Sequence, residues 1–240
     1  MTAVGAHVKV GLAELARIPA FSIPTLFFPV LTYLFVSNGV YSDLDPSLAM
    51  AGVAGIAVLG VAFFQFGVGI AAERTTPWER YLRTLPITPR LRLAARLIAA
   101  LPVAAASAAL VVATAIASDG VSLPPGRWIT LALALLLGAI PFGLAGIALG
   151  YWLPPRGAVP IANIVFLASA IGGGLWSGPS DAGGATAGLV PTKRWGELLW
   201  ASVEGRPWRA SDVGVLALSG VVFGLAAVWG YRRDEGQQFG

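Results

Sequence analysis

The chain has 240 residues, 56% of them hydrophobic and only 12% charged, and its mean hydropathy is positive. That balance lies outside the range of water-soluble globular domains and inside that of helical membrane proteins. Cysteine is absent, which excludes disulfides and thiolate metal sites, and the net charge of +4 in such a chain is first an orientation signal and only weakly a nucleic-acid footprint.

Residues 4–17 place Val8, Leu12 and Leu15 at i, i+4 and i+7, with His7, Glu14 and Arg17 around the opposite face. The pattern predicts a helix lying in the membrane interface and feeding a first span at Pro19. His7, the single histidine, reads as a polar surface residue rather than a metal ligand. The apolar run that follows is longer than a signal-peptide core, so it is expected to be retained as a span.

Six stretches carry no charge: 18–42, 46–72, 97–118, 128–155, 157–180 and 213–231. Each reaches about the 20 residues that an α-helix needs to cross a hydrocarbon core of roughly 30 Å. They predict an all-α integral membrane protein, one domain over 1–240, with spans at about 19–41, 47–72, 93–117, 128–151, 157–177 and 212–231. Prolines lie within these runs at Pro24, Pro29, Pro102, Pro141 and Pro160, where neighbouring helices must satisfy the freed carbonyls. Glycines recur there as well: Gly52, Gly55 and Gly60, then Gly146 and Gly150, then Gly220 and Gly224. Small residues at such spacing let helix backbones approach closely, chiefly within the chain and secondarily between copies.

Between the second and third spans, "AAERTTPWERYLRTLPITPRLRLAAR" (71–96) holds six of the sixteen basic residues: Arg74, Arg80, Arg83, Arg90, Arg92 and Arg96. Thr76 suits an N-cap, Pro77 the first helical position, and Glu79 the N3 position of a capping box. Leu85 precedes Pro86, which disfavours further helix. A helix over about 77–85, roughly 13 Å long, is therefore predicted. It is too short to stand alone in water, so its apolar edge of Trp78, Leu82 and Leu85 needs a partner surface, with Arg80 and Arg83 pointing elsewhere. A new helix is expected from Thr88–Pro89, with Arg90, Arg92 and Arg96 snorkelling at its base.

The longest extramembrane piece, about 178–211, opens on glycine, serine and aspartate and continues "PTKRWGELLWASVEG". Thr192 can cap a short helix on which Trp195, Leu198, Leu199 and Ser202 share a face, with Trp200 and Trp208 nearby. Such amphipathic aromatics favour the headgroup level, and a short helix dipping into the outer leaflet is expected before the last span.

With the N-terminus inside, eleven Lys and Arg fall on the inner side (Lys9, Arg17, Arg74, Arg80, Arg83, Arg90, Arg92, Arg96, Arg156, Arg232, Arg233) and five on the outer (Arg127, Lys193, Arg194, Arg206, Arg209). A multi-pass protein with both termini cytoplasmic is the favoured topology. The uncharged runs offer only Asn38, Gln65, Asn163 and hydroxyls, which disfavours a proton-driven carrier, an intramembrane metalloprotease and a two-carboxylate hydrolase. Lys9 follows Val8 and Lys193 follows Thr192, so neither supplies the Gly-Lys of a P-loop, and ATP-driven work would need a separate subunit.

"ER…WERYLRTLPITP", residues 73–89, resembles the loop of the ABC-type-2 permeases, the membrane subunits of drug, antibiotic and lipid exporters. In that family an E-R pair, here Glu73 and Arg74, ends the second span, and an R-x-L-R-x-x-P-like run precedes the third; Thr75 stands where glycine is common. The interfacial N-terminal helix, six spans and the amphipathic excursion before the last span are similar to that architecture across most of the chain. The resemblance implies a coupling helix that meets an ATP-binding subunit through Thr76, Pro77, Trp78, Glu79, Arg80, Leu82, Arg83 and Leu85. It implies two such ATPase subunits, which hold ATP and Mg2+, and a second copy of the permease or a related one. The chain itself is expected to be no enzyme and to bind no cofactor, metal or nucleic acid. The expected activity is export of a hydrophobic or amphipathic substrate across the plasma or inner membrane, among membrane lipid. An ATP-independent carrier or channel, or a non-transporting scaffold, is the alternative.

Overall fold

The computed structural model describes residues 19–40, 43–77, 89–179 and 189–239. The expected interfacial helix at 4–17, and Trp78 to Leu85 of the expected coupling helix, lie outside the described residues. Among those described every regular element is helical. In chain order they are α1 (Pro19–Phe35), α2 (Pro46–Glu73), α3 (Pro89–Asp119), α4 (Pro125–Trp152), α5 (Pro155–Gly172), α6 (Pro191–Glu204) and α7 (Ala210–Phe239). Five stretches within them, from α2, α3, α4, α5 and α7, are long and apolar enough to cross a membrane. A shorter apolar helix, Leu26–Gly39, begins in α1 and continues into the π-helical segment Val36–Val40.

Proline starts α2, α4, α5 and α6 in the first turn, where its missing N–H costs no helical hydrogen bond. Helix α2 is also capped by Asp45, whose carboxylate accepts from the Ser47 N–H (2.8 Å) and hydroxyl (2.5 Å). Those bonds, led by that from the Ser47 side chain, hold the Asp45 carboxyl below its ordinary range. Pro102, Pro141 and Pro160 lie inside α3, α4 and α5 without ending them.

Helix α2 is the centre of the molecule. Its first part, Ala49 to Leu59, is buried on every side, and Val61–Val68 is wound as a π-helix. Helix α4 crosses this wider segment closely: a Cβ on Gly146 would stand 1.8 Å from the Ala62 carbonyl oxygen, and one on Gly150 2.8 Å from that of Phe66. Glycine is thus required by backbone contact within one chain. Gly52 meets the Leu175 carbonyl in the same way, at 2.2 Å, whereas Gly60 faces open space.

The segment expected at the headgroup level lies against the other helices. Helix α6 turns its aromatic face inwards: Trp195 and Trp200 are fully buried, and α6 packs on α2, α4, α5 and α7. The indole N–H of Trp195 donates to the Ala134 carbonyl of α4 at 2.8 Å, its ring lies 5.1 Å from that of Phe142, and Gly138 leaves room for it. The amphipathic pattern is real, but the apolar face covers protein rather than lipid. Arg127 of α4 donates to the Val203 carbonyl at 3.0 Å, completing the end of α6 where helical carbonyls lack donors. The Arg194–Asp212 ion pair, 2.9 Å, ties α6 to the start of α7.

Candidate functional site

At the other end of the bundle, the E-R pair occupies the corner where α2 stops. Helix α4 stops nearby because Leu153 is extended and is followed by Pro154 and Pro155, which leaves the last carbonyls of α4 without helical donors. Arg74 supplies donors. Its guanidinium reaches the Tyr151 carbonyl at 2.8 Å and the Leu153 carbonyl at 2.6 Å, a cation at a helix C-terminus as the helix dipole favours. The same group meets Asp234 of α7 at 3.0 Å. Both side chains are largely buried, at 14% and 8% exposure, so this planar five-donor fork is placed where a lysine could not make the same set of contacts.

Aromatic packing holds α7 against α4 beside this fork. Tyr151 and Tyr231 meet edge to face at 5.3 Å, as do Trp152 and Trp229 at 4.6 Å. The Trp152 indole N–H donates to the Ala226 carbonyl at 3.1 Å, and Arg233 stacks over the Trp152 ring at 5.1 Å. Glu73 points the other way and bonds Arg96 of α3 at 3.0 Å. Glu73 is 57% exposed, so this bridge fixes geometry more than it adds stability. One dipeptide therefore joins α2 to α3, α4 and α7.

Thr75 donates its hydroxyl to the Ala72 carbonyl at 3.0 Å. Thr76 closes a turn on Glu73, with its N–H at 2.8 Å and its hydroxyl at 2.7 Å from the same carbonyl oxygen. Used as a donor, the Thr76 hydroxyl still has lone pairs for the capping role expected of it. Thr75, Thr76 and Pro77 are all exposed, so the chain leaves α2 at the surface. Trp78, Glu79, Arg80, Leu82, Arg83 and Leu85 follow directly, outside the described residues. The contacts of Glu73 and Arg74 gather residues 23 to 160 positions apart. Tyr151, Leu153 and Asp234 were not legible as partners; the one available signal was an acidic residue, Asp234, directly after Arg232 and Arg233.

The geometry defines a polytopic helical membrane protein with an anchored basic corner. No family model matches the chain. It is similar over nearly its whole length to a Bacillus subtilis (strain 168) protein named "Putative transport permease YvfS", with 23% identity over 238 residues, covering 95% of this chain and 97% of the relative.

Proposed function

We propose that the chain is the membrane permease subunit of an ATP-binding-cassette exporter, moving a hydrophobic or amphipathic substrate out of the cytoplasm or inner leaflet. Transport is supported by the likeness to a permease over nearly the full length of both proteins. Coupling to ATP is supported by the corner at Glu73 and Arg74. A segment that must transmit force needs rigid attachment, and Thr76 to Leu85 leaves from a point bonded to α3, α4 and α7. In this reading Trp78, Leu82 and Leu85 seat in a groove of a separate ATPase, Arg80 and Arg83 meet its rim, and ATP and Mg2+ belong to that subunit. Two ATPase subunits and two permeases complete the assembly, which lies in the plasma or inner membrane with six spans and both termini of each permease cytoplasmic.

The proposal is tested by purifying the chain gently with the proteins of its own cell. The expected result is co-purification of an ATP-binding subunit and hydrolysis by the complex, with none by the permease alone. Robust hydrolysis by the isolated chain would contradict it. Topology has a separate test, made simple by the absence of cysteine. Ser118→Cys should react with an impermeant thiol reagent from outside, and Thr84→Cys only after permeabilisation; labelling of residue 84 in intact cells overturns the orientation.

A further inference from the structure

A crevice of about 290 Å³ opens between α2, α3 and α4. Its walls are wholly apolar and include Val58 and Phe66 of α2, Ala94 and Leu101 of α3, and Ala139 and Gly143 of α4. A polar ligand would lose its hydrogen bonds there, so the occupant must be hydrocarbon. The volume lies at or below the lower end of small-molecule pockets, roughly 300–1,000 Å³. Shape narrows the choice further: the α3 wall runs from Ala94 to Ala104, ten residues or about 15 Å of helix. That equals one leaflet of a hydrocarbon core roughly 30 Å thick.

Charge indicates the rest of the occupant. The Ala94 end of the crevice lies next to the base of α3, where Arg96 sits beside Glu73 and Arg92 and Arg90 precede it in the same helix. The base of α3 carries Arg90, Arg92 and Arg96, and with Glu73 bonded to Arg96 the balance there is 3 − 1 = +2. A net-positive helix base at the end of a dry slot one leaflet deep is complementary to an anionic phospholipid. We infer that the crevice between α2, α3 and α4 holds one acyl chain of an anionic phospholipid from the leaflet bordering the basic corner, with its headgroup at the base of α3. This site is independent of the export reading, since it needs no ATPase and no transported substrate. A lipid held there would sit against the π-helical part of α2, through Phe66, and against α3 next to the segment that leaves the corner.

The test uses phosphatidylglycerol and phosphatidylcholine, each carrying a diazirine midway along one acyl chain, with the full-length protein in nanodiscs. Phosphatidylglycerol should cross-link within the peptides bearing Leu97 and Leu101, several-fold more than phosphatidylcholine does. Ala94→Phe and Ala139→Phe should fill the slot and lower that yield by about tenfold, a loss of roughly 1.4 kcal/mol in binding. Ala105→Phe, on the exposed side of α3 outside the crevice, should leave it unchanged, and matching thermal midpoints of the three variants establish that the fold persists. Equal labelling of α1, α5 and α7, equal labelling by the two lipids, or labelling insensitive to filling in variants that fold would each overturn the proposal.

Discussion

Arg74→Ala is expected to lower stability by about 3 kcal/mol, at the lower bound for removing one member of a buried ion pair. The variant loses the donors that reach the Tyr151 and Leu153 carbonyls as well as the group facing Asp234. Arg74→Lys should recover part of this, since it keeps charge but not the fork. The double variant Arg74→Met, Asp234→Leu should lie closer to wild type than Arg74→Ala, because no charge then remains at the pair. Thermal unfolding in detergent measures the order. If Arg74→Ala unfolds with the wild-type midpoint, the fork does not hold the corner together.

Trp195→Ala is expected to cost about 3–5 kcal/mol, the range for deleting a fully buried aromatic side chain. The ring fills space among Gly138, Gly55 and Phe142, so its deletion leaves a cavity there. A reciprocal change should act from the other side. A Cβ on Gly138 would stand 2.0 Å from Trp195 Cε2, so Gly138→Ala should destabilise through overpacking by about 1–3 kcal/mol. Combining it with Trp195→Phe should relieve part of that cost, because the two sites touch and their effects are not additive. Folding of Trp195→Ala at the wild-type midpoint would show that α6 is peripheral after all.

Hydropathy made the helical class legible because a bilayer demands long uncharged runs, and the long apolar stretches of α2 and α4 follow directly from residues 46–72 and 128–155. The glycine pair Gly146 and Gly150 likewise indicated close helix approach, which small residues at that spacing allow, whereas Gly220 and Gly224 at the same spacing face only side chains at ordinary contact distance. Helix α6 was read as amphipathic, yet periodicity reports that a face is apolar and not what covers it. An indole suits a headgroup layer and a protein core equally well, so the burial of Trp195 and Trp200 came only with the tertiary contacts. The corner was half legible. Glu73 and Arg74 stood out as a charged pair at the end of an apolar run, but two of Arg74's acceptors are backbone carbonyls freed by a helix stop at Leu153, and a carbonyl carries no residue-specific signal in a sequence. Asp234 lies 160 positions from Arg74, and chain distance alone gives no reason to pair them.

The central claim is that Thr76 to Leu85, leaving the corner at Arg74, docks a separate ATPase. Its most direct test is the affinity of the purified permease for its ATP-binding subunit, measured for wild type, Trp78→Ala and Thr76→Ala. Trp78→Ala removes a large aromatic anchor, worth about 2 kcal/mol at an interface, and should weaken binding about thirtyfold while the protein accumulates and unfolds as wild type does. Thr76→Ala should weaken binding by a smaller factor, in keeping with the ~1 kcal/mol of an N-cap. If both variants bind the ATPase with wild-type affinity and stimulate its hydrolysis as wild type does, the segment is only a topology-setting loop and the account is contradicted.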